Sequence, residues 1–319
     1  MKSRLLSITM AAALFLGMGS LKAFDNGKIS KTFPAKPKLY VKTVSGDCII
    51  KQGAADKISV EVVSDVKPQS AFSPRFDEQS DRLKLSEDWT GSSSGSVTWT
   101  ITIPKGTEVE FSTASGDFSG EGLENNIESS SASGDVTLQN SKGKVDISTA
   151  SGDVEITNSN GELDISTASG DVSGSEIQGT VEIKTASGDI DLKDSKASVE
   201  LKCASGDIDV SNLIMESSAT VSTASGDVEI GLAQSPTSDL TLSSASGDIE
   251  LDYNGNPVKG TFIFTARKDH GRIQAPFSFD HEEEFEQNGK TYVKKSFTRN
   301  TDKPVITLET ATGTIKLNK

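Results

Sequence analysis

The tripeptide Ser-Gly-Asp recurs along the chain at a nearly constant interval, and this repeat leaves few folds open. The interval between successive glycines is 18 every time from Gly116 to Gly206, then 20 to Gly226 and 21 to Gly247. A degenerate copy, Thr-Gly-Thr, adds Gly313. The glycines of the full copies are Gly46, Gly116, Gly134, Gly152, Gly170, Gly188, Gly206, Gly226 and Gly247. A constant period of this length is typical of repeat architectures in which each unit packs against its neighbours.

Apolar and polar residues alternate on both sides of each Ser-Gly-Asp. Around Gly152, Val145 and Ile147 precede the glycine, and Val154 and Ile156 follow it. Alternation with a period of two predicts strands that bury one face. Each repeat is therefore predicted to run strand, tight Ala-Ser-Gly-Asp turn, strand, looser turn. We expect the glycine to supply a positive φ and the aspartate to hydrogen-bond its own turn.

Two all-β architectures fit this pattern: a long meander of hairpins, or a solenoid whose coils stack. About twenty strands in one open meander would exceed the roughly ten at which twisted sheets curl or split. Stacking of equivalent strands from successive repeats also explains the constant period. The apolar pairs are nine residues apart, which disfavours a helix built from hexapeptides. The sequence predicts an all-β fold, a single-stranded β-helix or β-solenoid, whose two-sided coils each take up one period of 18.

A single solenoid domain is predicted over residues 24–319, with end segments that differ from its middle. Residues 38–50 form the first rung and 51–108 an N-terminal β segment. Residues 109–252 hold the regular repeats, and 253–319 hold a C-terminal β segment and the last rung. Atypical end segments cover the open ends that a solenoid would otherwise expose.

Residues 1–23 have the features of a secretory signal peptide. Lys2 and Arg4 precede an apolar stretch from Leu5 to Met18, and Ala23 is a small residue suited to cleavage. The apolar stretch is shorter than the roughly 20 residues of a spanning helix. We therefore predict an exported protein, in the periplasm, on the outer-membrane surface or outside the cell. The mature chain is predicted to have no transmembrane span.

Composition excludes some classes of protein. The chain has 32 Lys and Arg against 46 Asp and Glu, a formal net charge of −14. Binding to a phosphate backbone needs clustered positive charge, so nucleic acid is not an expected partner. A hydrophobic fraction of 34% is too high for wholesale disorder and too low for a multi-span membrane protein.

Three segments carry a resemblance to a known family: residues 103–111 (IPKGTEVEF), 113–117 (TASGD, the first of the regular turns) and 308–317 (LETATGTIKL). With them the chain resembles the putative adhesin family of bacterial β-strand-repeat domains, over nearly all of residues 38–319. The resemblance implies a right-handed β-helix. It implies adhesion only by analogy of fold, and it supplies no catalytic residues.

Sequence motifs for catalysis are weak. Residues 91–95 (GSSSG) satisfy the G-x-S-x-G pattern of hydrolases, but that motif needs a strand before it and a helix after it, and here a strand is predicted to follow. The only histidines, His270 and His281, are not placed near a nucleophile by any pattern. We predict that the protein is not an enzyme and needs no cofactor.

The repeated aspartates form a candidate metal site. In stacked coils they would lie one above another at roughly 4.8 Å, where like charges repel and calcium could bridge them. The simpler interpretation is that each aspartate closes its own turn and faces water. The residues of this candidate calcium column are Asp117, Asp135, Asp153, Asp171, Asp189 and Asp207, continued by Asp227 and Asp248.

Three further patterns have ordinary structural interpretations. Residues 280–286 (DHEEEFE) are predicted to be a solvated loop or edge, with metal capture as the alternative. A threonine column that includes Thr149 is expected on the inward or corner side, which disfavours an ice-binding ladder. Cys48 and Cys203 belong to the first and seventh copies of the motif, too far apart for a disulfide, so both are predicted to be buried free thiols.

The sequence favours a non-enzymatic adhesion or interaction scaffold at the cell envelope, with an unknown protein or glycan as partner. The variable turns at 212–218 and 233–239 are candidate contact loops. One alternative is a calcium-dependent spacer. The other is a carbohydrate-active or glycan-binding β-helix. Aromatic rings suited to sugars are absent from the central repeats, so such a site would lie near Trp89, Trp99, Tyr253 or Tyr292.

Overall fold

The computed structural model describes residues 27–54 and 56–319, and this part of the chain folds almost entirely into strands. The one helical element in those two ranges is the 3₁₀ turn Gln69–Ala71. Within the described ranges no helix is long and apolar enough to cross a membrane. The predicted signal peptide, residues 1–23, lies outside the described residues. The predicted all-β class is confirmed.

The strands are short, and most of them come in pairs separated by one Ser-Gly-Asp. In chain order they are β1 (Lys28–Pro34), β2 (Lys38–Lys42), β3 (Asp47–Gln52), β4 (Lys57–Ser64), β5 (Phe72–Glu78), β6 (Arg82–Trp89), β7 (Val97–Ile103), β8 (Glu108–Thr113), β9 (Phe118–Glu121), β10 (Ile127–Ser131), β11 (Val136–Gln139), β12 (Lys142–Thr149), β13 (Val154–Thr157), β14 (Asn160–Thr167), β15 (Val172–Ser175), β16 (Gln178–Thr185), β17 (Ile190–Lys193), β18 (Lys196–Ser205), β19 (Ile208–Met215), β20 (Ala219–Ser225), β21 (Val228–Leu232), β22 (Leu240–Ser246), β23 (Ile249–Asp252), β24 (Gly260–Arg267), β25 (Gly271–Gln274), β26 (His281–Gln287), β27 (Lys290–Arg299) and β28 (Val305–Asn318).

In the regular part of the chain each strand pairs in parallel with the equivalent strand of the next repeat. Val145 pairs with Leu163, Leu163 with Val181, and Val181 with Val199. Hairpins pair antiparallel, so this register is incompatible with a meander. One passage of the chain through two successive strands is called a coil below.

The strands of the coils divide between two sheets. In spatial order sheet A contains β1, β4, β7, β3, β9, β11, β13, β15, β17, β19, β21, β23, β28 and β25. In the same order sheet B contains β5, β6, β2, β8, β10, β12, β14, β16, β18, β20, β22, β28, β24, β27 and β26. The strands β19 and β28 pair in both sheets and join them.

The core lies between the two sheets and is filled by the inward member of each alternating pair. Val145 and Ile147 of sheet B and Val154 and Ile156 of sheet A are at most 1% exposed. These β-branched side chains suit a pleated surface that is buried on one face. The intervening polar residues point to solvent, as the alternation predicts.

Two coils lack an inward aliphatic residue and compensate for it locally. They have Gly120 and Gly174 where other coils have leucine, isoleucine or valine. In those coils Leu123 and Ile177, three residues further along, are buried and lie against the glycines. Neighbouring coils have buried serines at that position, namely Ser141, Ser159 and Ser195. Each coil therefore keeps a similar buried volume, because the large aliphatic side chain occupies one or the other of these two positions.

At both ends the spatial order of coils differs from their order in the chain. Leu39 of β2 pairs with Leu83 of β6 on one side and with Val109 of β8 on the other. The coil at 82–103 therefore lies outside the coil at 38–50. At the other end β28 lies between the coil of β22 and β23 and the coil of β24 and β25. The first and last rungs of the chain are thus interior layers, and other strands cover both.

Candidate functional site

The Ser-Gly-Asp copies form one edge of the stack, where the chain passes from sheet B to sheet A. The carbonyl oxygen of each glycine lies against the Cα of the glycine one coil further on, so a Cβ on Gly152 would collide with the Gly134 carbonyl. The expected positive φ is wrong for eight of the ten glycines, and only Gly226 (155°) and Gly313 (141°) have it. The motif needs glycine because neighbouring backbones approach so closely.

Gly46 begins this glycine column, and the buried carboxylate of Glu87 takes the place of a preceding carbonyl. A Cβ on Gly46 would collide with Glu87 Oε1. The same oxygen accepts a hydrogen bond from Trp99 Nε1 (2.9 Å), and Oε2 accepts from Trp89 Nε1 (3.0 Å) and the Val44 N–H (2.7 Å). Trp89 and Trp99, two of the four aromatic residues near which a glycan site was expected, therefore both donate their indole N–H to Glu87. Trp99 is fully buried.

The aspartates form a hydrogen-bonded ladder along the same edge. Asp153 N–H donates to Asp135 Oδ1, and Asp171 N–H donates to Asp153 Oδ1, both at 2.9 Å. The ladder runs through Asp47, Asp117, Asp135, Asp153, Asp171, Asp189, Asp207, Asp227, Asp248 and Thr314. The expectation that each aspartate bonds its own turn is wrong, because the partner lies one coil away.

The aspartate side chains of the ladder are exposed, as predicted. Within residues 27–54 and 56–319, no three His, Cys, Asp or Glu side chains are grouped so that they could hold a metal ion. Calcium binding by the column stays a prediction.

The corner before each glycine has two forms. In the tight corners the glycine N–H donates to a hydroxyl three residues earlier, as Gly152 does to Thr149 Oγ1 at 3.0 Å. The tight corners are those at Gly116, Gly134, Gly152, Gly170 and Gly188. Thr149 is buried, which confirms its inward or corner position and disfavours an ice-binding role for its column.

In the extended corners the glycine N–H donates to a carbonyl of the next coil, as Gly206 does to Ser225 at 3.1 Å. The hydroxyl reverses its role, and Thr223 Oγ1 donates to the Gly206 carbonyl at 3.1 Å. The extended corners are those at Gly206, Gly226, Gly247 and Gly313. At the first of them Cys203 replaces the threonine, and its Sγ lies 3.3 Å from the Gly188 carbonyl oxygen.

The predicted contact loops lie on the opposite edge and are held to the body. The first, at 212–218, is partly strand, because β19 continues to Met215 and crosses from sheet A to sheet B. In the second, at 233–239, Asp239 accepts the Val305 N–H at 2.8 Å. That hydrogen bond, and then nearby Lys303, hold the pKa of Asp239 below its usual value.

The hydrolase-like pattern at 91–95 is followed by β7, a strand, as expected from the sequence. Ser94 forms an isolated bridge with Lys67. His270 and His281 are both exposed, and they belong to the C-terminal segment. The structure therefore does not bring the serine and histidine of a catalytic triad together.

The acidic run at 280–286 lies almost entirely in β26, the exposed edge strand of sheet B, and this confirms the prediction of a solvated edge. On the hairpin face that continues the core side of sheet B, Glu282 pairs with Lys295 at 3.1 Å, and Glu284 pairs with Lys268 at 2.7 Å. The first ion pair joins the two strands of the hairpin, and the second joins the hairpin to the turn after β24. The other side of the hairpin faces an open cleft.

The cleft is the candidate functional site and has a volume of about 720 Å³. The β26–β27 hairpin forms one wall, and the outward face of β22, β28 and β24 forms the floor. Phe285 and Tyr292 pair directly across the hairpin, with ring centroids 5.7 Å apart and planes 21° apart. Of the four aromatic residues predicted for a sugar site, Tyr292 lines this cleft, whereas Tyr253 is fully buried.

The lining of the cleft combines polar and apolar groups. Glu283 and Lys294 of the hairpin are 3.4 Å apart, a weak ion pair. The floor presents Ser243, Thr265 and Thr307 in addition to an exposed Glu309, and none of these four side chains hydrogen-bonds to a described residue. Its apolar part consists of Ile263 with a row of alanines, Ala224, Ala245 and Ala311. Sequence reasoning named Tyr292 but missed the floor of the cleft, because the floor residues lie on separate strands that are not consecutive in the chain.

The two cysteines are free and buried, as predicted. Burial raises the pKa of the Cys48 thiol far above its ordinary value. Burial also raises the pKa of the Cys203 thiol, which is 7% exposed. Neither thiol is therefore activated as a nucleophile.

The parallel stack and its Ser-Gly-Asp edge define an all-β repeat domain. Residues 36–262 match the sequence profile of the family described as Toastrack DUF4097. Since that match covers more than half of the chain, the protein belongs to this family. No curated protein has a significantly similar sequence.

The solved structures that match this chain include three bacterial proteins. A putative lipid binding protein from Parabacteroides distasonis has 13% identity and a TM-score of 0.43, over 92% of this chain and 98% of that one. A putative adhesin from Bacteroides fragilis has 16% identity and a TM-score of 0.35, over 92% and 98%. A putative cell adhesion protein from Clostridium sporogenes has 9% identity and a TM-score of 0.24, over 91% and 99%.

Proposed function

We propose that this protein is an exported, non-enzymatic β-solenoid that serves as an interaction scaffold at the cell envelope. The constant register, which repeats through both sheets, supports a solenoid with two-sided coils. The resemblance to the putative adhesin family favours a right-handed winding. The apolar leader at residues 1–23 supports export.

The observation that carries the proposal is the cleft beside the β26–β27 hairpin. Its volume of about 720 Å³ lies within the range of ligand-binding sites. Its binding groups stand on paired strands of a long stack, and rigid elements hold such groups more accurately than loops do. Binding at one end of the stack would leave its two long faces free.

The partner is a protein or a glycan of the envelope, and nucleic acid is disfavoured by charge. On the outward face of sheet A, four successive coils place carboxylates at one register position, namely Asp191, Asp209, Glu229 and Glu250. Such a column repels phosphate groups.

A photo-crosslinking amino acid at Gln287, in the cleft, tests the proposal in intact cells. The matched control carries the same group at Thr137, which points outward from sheet A in the middle of the stack. We expect a specific adduct from position 287 and none from position 137. Equal labelling at the two positions, or none, would contradict a role for the cleft. Recovery of the protein in the cytoplasm with Met1 retained would contradict export.

A further inference from the structure

We propose that the cleft binds a neutral oligosaccharide, with the Phe285–Tyr292 pair as the stacking platform. This inference rests on the proposed function, because it names the ligand class of the same cleft. Three features carry it: how the two rings are held, which polar groups surround them, and how the charges of the cleft are distributed.

The two rings are held on the cleft side of the hairpin. In β26 the side chains of Glu283, Phe285 and Gln287 line the cleft, whereas Glu282 and Glu284 alternate to the opposite face. The hairpin is held in place by the antiparallel pairing of β27 with β24 and by the Glu284–Lys268 ion pair. Phe285 and Tyr292 nevertheless remain half-exposed. A buried core pair would not be, and exposed aromatic faces suit the apolar C–H face of a sugar ring.

The polar groups of the cleft match the hydroxyls of a sugar. Ser243, Thr265 and Thr307 each offer a donor and an acceptor, and the carboxylate of Glu309 accepts strongly. These four side chains make no hydrogen bond within the described part of the chain and stand on three neighbouring strands about 4.8 Å apart. A row of that length suits a chain of several sugar rings rather than one small molecule.

A peptide fits the same cleft less well. Peptides that add to a sheet need an open backbone edge, but the floor of the cleft is the face of a sheet whose backbone groups already pair. The open edge belongs to β26, whose four glutamates oppose strand addition. The alanine row offers no deep pocket for side-chain anchors.

Charge selects neutral sugars. Glu283 and Glu309 outnumber Lys294 in the cleft, and Lys294 is already paired with Glu283. An acidic polysaccharide would place carboxylates beside Glu309, where the paired Lys294 offsets little of the repulsion. We therefore expect neutral glucan, mannan or chitin fragments to bind and polygalacturonate fragments not to bind.

Calorimetric titration of the purified mature chain with neutral hexasaccharides tests the inference. We expect Tyr292→Ala and Phe285→Ala each to weaken binding about three- to tenfold. Glu309→Gln should weaken it by a similar factor. Tyr40→Ala, which removes an outward aromatic residue of sheet B far from the cleft, is the matched control and should change nothing.

A second variant separates lost contact from a loosened hairpin. Phe285→Trp keeps an aromatic face and should retain wild-type affinity or exceed it, with an unchanged melting temperature. The inference is overturned if no neutral hexasaccharide binds at millimolar concentration, or if Tyr292→Ala binds as well as wild type. Release of new reducing ends would overturn the non-enzymatic part of the proposed function.

The outcomes also separate this inference from the proposed function. If position 287 crosslinks an envelope protein but no hexasaccharide binds, the scaffold stands and the sugar inference fails. If a peptide competes for the crosslink, the ligand class is wrong. If the cleft neither crosslinks in cells nor binds a sugar, both proposals fail.

Discussion

The tight and the extended corners perform the same passage between sheets with opposite hydrogen bonds. In a tight corner a hydroxyl accepts the glycine N–H of its own coil, as Thr167 does from Gly170. In an extended corner the glycine N–H bonds to the next coil, and the hydroxyl donates to the previous glycine, as Thr223 does to Gly206. One tripeptide therefore supports two local structures, and the residue three positions before the glycine participates in both.

The change from tight to extended corners occurs at Cys203. A thiol is a weak acceptor, so it cannot satisfy the Gly206 N–H as the threonine of an earlier coil would. That N–H pairs instead with Ser225 of the next coil. The interval between motif copies lengthens at the same place, from 18 to 20 and then to 21. The glycine and the aspartate are therefore common to both regions, whereas the hydroxyl three positions before the glycine accepts a hydrogen bond in one region and donates one in the other.

The largest expected effect comes from substitutions in the glycine column. These should be equally destabilising in the tight and in the extended corners. Gly152→Ala and Gly226→Ala each place a Cβ inside the carbonyl of the previous glycine. We expect each to lower the free energy of unfolding by at least about 4 kcal/mol. Denaturant unfolding checks this. Gly174→Ala is the control, because its added methyl meets only side-chain atoms. Tolerance of alanine in one region would show that its coils can separate.

The next largest effect concerns Glu87, which closes the column where there is no earlier glycine. Glu87→Ala leaves two indole N–H groups and the Val44 N–H without their acceptor. We expect a loss of about 3 kcal/mol, measured by denaturant unfolding. Asp88→Asn, at an exposed neighbour, should change stability by less than about 0.5 kcal/mol. Equal effects of the two substitutions would contradict the closing role.

A direct test of the two corners compares Thr167→Val with Thr223→Val. The first leaves the buried Gly170 N–H unpaired and should cost about 1–2 kcal/mol. The second removes only a donor to the Gly206 carbonyl, since the Gly226 N–H keeps its bond to the Ser246 carbonyl, and should cost about half as much. Thermal unfolding of the two variants measures the difference. A larger cost at position 223 would reverse the assignment of the two corners.

The smallest effect is chemical and concerns the two thiols. Burial raises both pKa values, so the thiolate fraction is low at neutral pH and increases only as the pH rises. Cys203, at the corner, should react slowly with iodoacetamide, and faster as pH rises from 7 to 9. Cys48, at the core, should react only on unfolding. Mass spectrometry of labelled peptides checks both, and rapid labelling of Cys48 at pH 7 would contradict its burial.

Much of the fold could be predicted from the sequence because the repeat determines it. The alternation around Gly152 predicts two strands with one buried face, and the constant period predicts their stacking. The reason for the glycine could not be predicted, because positive φ and close backbone approach favour the same residue. The hydrogen-bond partner of the aspartate was predicted wrongly for a related reason. An aspartate that bonds its own turn and one that bonds the next coil occupy the same position in the sequence.

The candidate site was less predictable than the fold. Tyr292 was recognised as one of four aromatic residues outside the repeats, but nothing distinguished it from Trp99, which Glu87 holds in the core. The partners of Tyr292 on the floor, such as Ser243 and Thr307, join it only because β28 returns between two earlier coils. Such an insertion breaks the order of the repeat and leaves no periodic signal.

The inverted order of coils at the two ends also limits how such a molecule can change in size. Residues 38–50 and β28 are interior layers, so loss of either of them would open a gap inside the stack and expose apolar faces. Longer or shorter versions must instead arise by duplication or loss of whole repeat units between the two closures. The structures at the two ends would then stay unchanged. The number of repeat units would set the distance between the cleft and the opposite end of the stack.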